Sequence, residues 1–84
     1  MYYVYALRSL KDREFYVGFT KDINKRLAAH NNRQVQTTRN RIPFEIVYYE
    51  ASRNINDAIK REKYLKTTYG KRYLVNRLRN DLDG

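Results

Sequence analysis

The sequence predicts a small α+β domain, a three-stranded antiparallel sheet flanked by helices in the order ββαβαα. Three observations point there. Two Tyr- and Val-rich runs of strand character lie either side of the polar turn Lys11-Asp12-Arg13-Glu14, which is a hairpin pattern. A third strand-type run, Phe44 to Glu50, follows one helix-type segment. The rest of the chain has helical spacing of apolar residues behind plausible capping residues. At 84 residues there is room for a single core, so one domain over 1–84 is expected.

Taken in order, Tyr2 to Leu10 alternates imperfectly but is rich in Tyr, Val and Leu, the mark of a buried strand. Phe15 to Thr20 is the second strand. The first helix runs from about Asp22 to Asn31, with Thr20 or Asp22 as N-cap and Ile23 and Leu27 on its core face. Arg26 lies about 100° from Leu27, bordering that face. Asn32 to Pro43 is a polar stretch of about twelve residues, long enough in so small a domain to read as functional or mobile. The third strand follows Pro43.

Asn54 or Asn56 caps the second helix, with Asp57 favourable in its first turn and Gly70 as its stop. Ile55, Ile59, Leu65 and Tyr69 are expected to form its apolar stripe. Glu62 lies three residues from both Ile59 and Leu65, so a carboxylate falls on or beside that stripe. An ionised carboxylate in a dry core costs several kcal/mol. Glu62 is therefore at a wet rim, or paired with a cation, or bound to a metal. A last helix from Lys71 to about Arg79 brings Leu74 and Leu78 to the core, and residues from about 80 look frayed.

Composition narrows the function. Eighteen Lys and Arg against nine Asp and Glu give a net charge of +9 and a pI near 10.0. A polyanionic partner follows, nucleic acid before an anionic membrane. There is no Cys and only one His, so neither disulfides nor a Cys- or His-rich metal site is expected. No signal-type segment opens the chain, and no apolar run approaches the ~20 residues of a membrane helix, so a soluble cytoplasmic protein is expected. A chain this short must pack efficiently, and nine Tyr and three Phe are the obvious bulky material for it.

The candidate chemistry gathers around Tyr16-Val17-Gly18-Phe19-Thr20 with Arg26 and His30 beyond it. Gly18 lets the backbone turn sharply or another group come close. Arg26 and His30, four apart on a helix, project from one face. A phenol, a guanidinium and an imidazole on one strand–turn–helix unit can build a phosphate-handling site. Each residue alone reads first as packing or as a solvated charge, and only the set points to a site.

In their order and spacing these residues resemble the GIY-YIG nuclease domain, most closely its small stand-alone, UPF0213-like members. Tyr3-Val4-Tyr5 looks like the first half of the motif and Tyr16-Val17-Gly18 the second, about ten residues apart. Arg26 falls at the family's helix arginine and His30 one turn later. Glu62 matches the metal-binding glutamate, and Asn76 a polar residue of the last helix. The sequence departs from the motif at Tyr3, where the family has Gly, and has Val for Ile in both halves. The Gly-to-Tyr change alters strand packing and the approach of substrate. Homing endonucleases and the UvrC excision nuclease carry separate DNA-recognition domains, and none is expected here.

The resemblance implies a metal-dependent endonuclease that hydrolyses phosphodiesters in DNA, or in structured nucleic acid more generally. The alternative is a non-catalytic nucleic-acid-binding module that kept the fold, and a purely structural basic protein comes third. On the first reading Arg26 offers a planar fork to phosphate oxygens. Glu62 would hold one Mg²⁺ or Mn²⁺. Tyr5 or Tyr16 is the general base, with Tyr5 preferred and Tyr16 orienting the water, and a phenol serves only if its pKa of about 10 is depressed. His30 would position or polarise the phosphate. The residues expected on the nucleic acid are Arg33, Arg39 and Arg41 in the long loop, and Lys60, Arg61, Lys63, Lys66, Lys71 and Arg72 beyond it.

Overall fold

In the computed structural model, which describes residues 1–83, strands β1 (Tyr2–Ser9), β2 (Phe15–Thr20) and β3 (Phe44–Ser52) form one antiparallel sheet in the order β2-β1-β3. The helices are α1 (Ile23–Asn31), α2 (Ile55–Leu65), α3 (Thr68–Arg77) and a short α4 (Arg79–Asp83). The α+β reading and the β1–β2 hairpin hold, and the hairpin register pairs Tyr5 with Gly18 and Leu7 with Tyr16.

The central strand explains its own irregular pattern. Val4, Tyr5, Ala6 and Leu7 are all buried because both faces of the sheet are covered. Val4, Ala6 and Val17 pack with Ala58 and Leu65 of α2 and Leu74 of α3. Tyr5 and Leu7 pack on the other face with Phe44, Tyr16, Ile42, Ile46 and Leu27 of α1. Alternation along β1 serves the two faces, and a register shift against β3 between Ala6 and Leu7 brings the consecutive residues Val47 and Tyr48 both against the Val4–Ala6 cluster.

The expected helix boundaries shift in three places. Gly70 does not stop a helix. α2 ends at Leu65, and Thr67 caps the next helix, accepting from the Gly70 amide at 3.2 Å and donating to the Tyr64 carbonyl at 2.6 Å. Gly70 sits buried in the first turn of α3, where a Cβ would overlap the backbone of Tyr64 and Leu65, so it permits close helix–helix approach. The second shift follows: the last long helix starts at Thr68, before Lys71, and ends at Arg77. Third, the chain beyond it closes as α4, with the Leu82 amide bonded to the Leu78 carbonyl, where a frayed end is expected from about 80; Gly84 lies outside the described residues.

The α2 stripe also differs. Ala58 and Leu65 are its buried positions, while Ile55 and Tyr69 are exposed. Ala58, Glu62 and Leu65 follow i, i+4, i+7, so Glu62 lies on this stripe, at its edge.

The long polar stretch is pinned along its length. Asn31 pairs with Phe44 in both directions, its amide donating to the carbonyl at 3.0 Å and its oxygen accepting from the amide at 2.8 Å. Ser9 donates to the Arg41 carbonyl at 2.5 Å, and Lys11 to that of Asn40 at 2.9 Å. Thr38, inside this stretch, is fully buried.

Candidate active site

Gly18 sits opposite Tyr5 across the hairpin, and a Cβ there would overlap the Tyr5 ring and hydroxyl. The glycine is therefore used for close approach: it clears the path by which the Tyr5 phenol crosses toward α1. Helix α1 begins straight after β2. Asp22 is its N-cap, accepting from the Lys25 amide at 3.0 Å, and Thr20 accepts from the Asp22 amide at 3.1 Å. This tight entry sets Arg26 and His30, one turn apart, over the sheet face that carries Tyr5 and Tyr16.

His30 is the pivot. It is 0% exposed, with Nε2 at 3.0 Å from the Tyr5 hydroxyl and Nδ1 at 2.7 Å from Thr38 Oγ1. Its ring lies edge-on to Tyr16, centroids 5.0 Å apart, and against Phe44. Burial, and then the Arg26 charge, lower its pKa to about 4, so the imidazole is neutral. Burial raises the Tyr5 pKa. Arg26, reaching the same phenol, opposes that rise, while Tyr16 and Glu62 add to it. Arg26 is half-buried, and its Nε is shielded from water with no hydrogen-bond partner among the described residues. Thus four of the five expected residues converge directly, with one guanidinium nitrogen left unsatisfied.

Glu62 enters from the other side of the sheet. β2 is an edge strand, and α2 passes beside it. Glu62 holds Lys66 at 3.1 Å in an i,i+4 pair, and Lys66 Nζ lies 6.0 Å from the Tyr16 ring centroid. Of the readings open for Glu62, the cation partner is present, and its side chain keeps 22% exposure. Asn76 is exposed on α3, where its side chain accepts from Arg79 at 2.8 Å. Tyr3 packs edge-on against Tyr49 and lines a hollow at the start of α1 with Lys21, Asp22 and Asn24.

The expected phosphate contacts divide in two. Arg41 is tied to Asp12 at 2.6 Å and also donates to the Phe15 carbonyl, holding the Asp12 carboxyl well below the usual carboxylate range. Arg61 is tied to Glu50 at 2.6 Å and lies over the Tyr73 and Tyr64 rings. Lys71 reaches Glu14 at 3.3 Å. Arg33, Arg39, Lys60, Lys63 and Arg72 are exposed, with Arg72 beside the Tyr69 ring. Sequence reasoning passed over Lys21 and Lys25, which line a hollow with Arg26; the signal was the cluster of cations at the start of α1. It also passed over Thr38, for which no local pattern speaks.

A pH dependence follows from His30. Its folded pKa lies below the ordinary 6.5, so between those values the unfolded chain binds the extra proton. Its contribution to stability is full above about 6.5 and is lost as pH falls toward about 4. Thermal melts should show the midpoint dropping across that window, with the slope weakened in His30→Gln. An unchanged slope in the variant would assign the acid sensitivity to other groups. The Asp12 carboxyl, also depressed, acts only at lower pH, as pH falls below its ordinary 3.8.

Among the described residues there is no group of three or more His, Cys, Asp or Glu placed to hold a metal, and no helix is long and apolar enough to cross a membrane. The GIY-YIG catalytic domain model matches residues 1–77. A UPF0213 protein of Clostridium perfringens is 43% identical over 67 residues, covering 79% of this chain and 71% of that protein. One from Staphylococcus saprophyticus is 40% identical over 67 residues, covering 79% and 80%. The UPF0213 protein YsiG of Lactococcus lactis is 32% identical over 82 residues, covering 96% of this chain and 78% of that one. No solved structure matches the chain. With the motif tyrosines, Gly18, Arg26 and His30 gathered on one sheet face and the family's model running through α3, this chain belongs to the GIY-YIG catalytic domain family and has its nuclease-type function.

Proposed function

We propose that the chain hydrolyses phosphodiester bonds in DNA at the cluster of Tyr5, Tyr16, Arg26, His30 and Glu62, with the help of one divalent cation. The observation that carries this reading is the unsatisfied Arg26 Nε beside a phenol whose hydroxyl is bonded to a neutral imidazole. A buried guanidinium nitrogen without a partner calls for an anion, and a phosphate oxygen is one that its planar fork suits. The net charge of +9 and the exposed Arg33, Arg39, Lys60 and Lys63 favour a polyanionic chain over a small phosphate ester.

The proton route starts at Tyr5. Burial raises the Tyr5 pKa rather than depressing it, so Tyr5 acts as a neutral relay and not as a standing phenolate: with Nε2 facing its hydroxyl, it can take a proton from the attacking water as its own proton moves to His30. The bond from water oxygen to phosphorus forms, one ester P–O bond breaks, and the departing oxygen leaves with a proton from solvent. Arg26 stabilises the charge that grows on the phosphoryl oxygens. Tyr16 meets His30 through its ring rather than its hydroxyl, which supports Tyr5 as the base and Tyr16 as a wall that orients the water.

Glu62 fits a hard cation in one respect. It is a single, partly exposed carboxylate beside the site, and Mg²⁺ or Mn²⁺ commonly takes one or two carboxylates while keeping waters and phosphate oxygens. Bound there, the ion would neutralise charge on the reacting phosphate. Lys66 would have to yield its place on the carboxylate.

The direct test is incubation of purified protein with supercoiled plasmid and with branched DNA, in Mg²⁺ or Mn²⁺ against EDTA. Nicking or linearisation that EDTA stops is expected. Retention of DNA on a filter with no cleavage under any of these conditions would instead make the chain a binding module on a nuclease fold.

A further inference from the structure

We propose that Thr38 is a positioning residue: its hydroxyl fixes the tautomer of His30, and through it the direction of the Tyr5 hydroxyl. The part concerning turnover rests on the hydrolysis reading above; the part concerning the tautomer does not.

A neutral imidazole has one donor and one acceptor, and both ring nitrogens of His30 face a hydroxyl. Two assignments are open. In the first, Nδ1–H donates to Thr38, Thr38 donates on to the Val35 carbonyl at 3.4 Å, and Tyr5 donates to Nε2. In the second, Thr38 donates to Nδ1, and Nε2–H donates to the Tyr5 oxygen. The second leaves the Tyr5 proton without an acceptor. Tyr5 is 2% exposed, its hydroxyl meets only His30 among the described residues, and the nearby Arg26 guanidinium can only donate. A buried hydroxyl without an acceptor costs about 1–3 kcal/mol. The first assignment satisfies every donor of the Tyr5, His30 and Thr38 side chains and leaves the phenol lone pairs free to accept.

Thr38 is held for this task. It is fully buried in an otherwise polar stretch, with its amide bonded to the Val35 carbonyl at 3.2 Å and its carbonyl to the Arg41 amide at 2.9 Å. The stretch is clamped to the hairpin by Ser9 and Asp12, so the hydroxyl cannot drift from Nδ1 without unfastening several contacts. The groups facing His30 from the surrounding elements are Tyr5 on β1, Tyr16 on β2, Arg26 on α1 and the Phe44 ring on β3; among the described residues only Tyr5 and Thr38 meet its nitrogens.

Because the chain has one histidine, long-range proton–nitrogen correlation spectra at neutral pH report its tautomer without ambiguity. The wild type should show Nδ1 protonated and Nε2 bare. Thr38→Val, which keeps the shape and removes the hydroxyl, should shift His30 toward the Nε2–H form or a mixture. Thr38→Ser should retain the wild-type pattern. In the cleavage assay Thr38→Val should lower kcat roughly ten- to hundredfold with KM nearly unchanged, and Thr38→Ser should recover most of it. A wild-type spectrum with Nε2 protonated overturns the proposal without any variant having to fold. So does a Thr38→Val spectrum identical to wild type. If the spectra behave as expected but the wild type cuts nothing, the hydrolysis reading fails and the tautomer assignment stands.

Discussion

Arg26→Met is expected to reduce cleavage by at least about 100- to 1000-fold while the protein remains folded and no less stable. The loss is that of a charged donor aimed where charge grows on the phosphate. The stability side has a separate cause. Arg26 Nε is shielded and unpartnered in the free protein, and an unsatisfied buried donor costs about 1–3 kcal/mol, which Met at the same place does not incur. Met is also a good helix former of comparable length. A third readout follows from the electrostatics: the Arg26 charge helps to hold the His30 pKa down to about 4, behind burial as the larger cause. Removing it should move the His30 titration part of the way back toward 6.5, which a proton titration of the single histidine can follow. Undiminished nicking by folded Arg26→Met would take Arg26 out of the chemistry. A fall of several degrees in melting temperature would make its role structural.

Much of the fold was legible because its signals are local. The strand-rich runs around a polar turn, the Asp22 and Asn54 caps and the burial of Leu74 depend on neighbours a few residues away. The errors came where tertiary contact overrides a local rule. A glycine after a helical stripe ordinarily reads as a C-cap. Here Gly70 is required by the close approach of α3 to the end of α2, and the boundary signal was Thr67. Tyr69, grouped with the stripe by spacing, stands out at 68% exposure because the helix had already broken before it.

The site divides along the same line. Tyr16, Arg26 and His30 could be singled out from their spacing and Tyr5 from the resemblance to the family's motif, and the fold brings the four to one face. Thr38 could not, since its burial arises only when the polar stretch folds back over His30. The surface cations show the limit of counting charges. Arg41 with Asp12, and Lys71 with Glu14, are joined across 29 and 57 positions of sequence, so no spacing announces that they are paired. Among the described residues, Glu62 on α2 with Lys66 at its C-cap, four apart, is the one ion pair whose spacing was visible in advance.

That pair frames the other large effect. Glu62→Gln is expected to fold, to bind DNA as tightly as wild type or more so, and to lose cleavage by orders of magnitude. Its ion pair with Lys66 joins partly exposed side chains at i,i+4, and such pairs contribute only about 0.3–0.5 kcal/mol. Breaking it should therefore barely move the melting temperature. Gln also removes a negative charge facing the approaching phosphates and frees Lys66, and both changes favour binding. Cleavage depends on that charge in a different way. If Glu62 anchors the cation, the neutral amide cannot, and the help the ion gives the reacting phosphate goes with it. A metal titration adds an independent reading: Mn²⁺ binding, followed by relaxation of water protons, should weaken in Glu62→Gln but not in Glu45→Gln, whose carboxylate is exposed on β3. Nicking at the wild-type rate by folded Glu62→Gln would remove Glu62 from metal binding and leave it as the anchor of Lys66 beside Tyr16. A lost melting transition with normal cleavage per folded molecule would place its value in packing at the edge of the Ala58–Leu65 stripe.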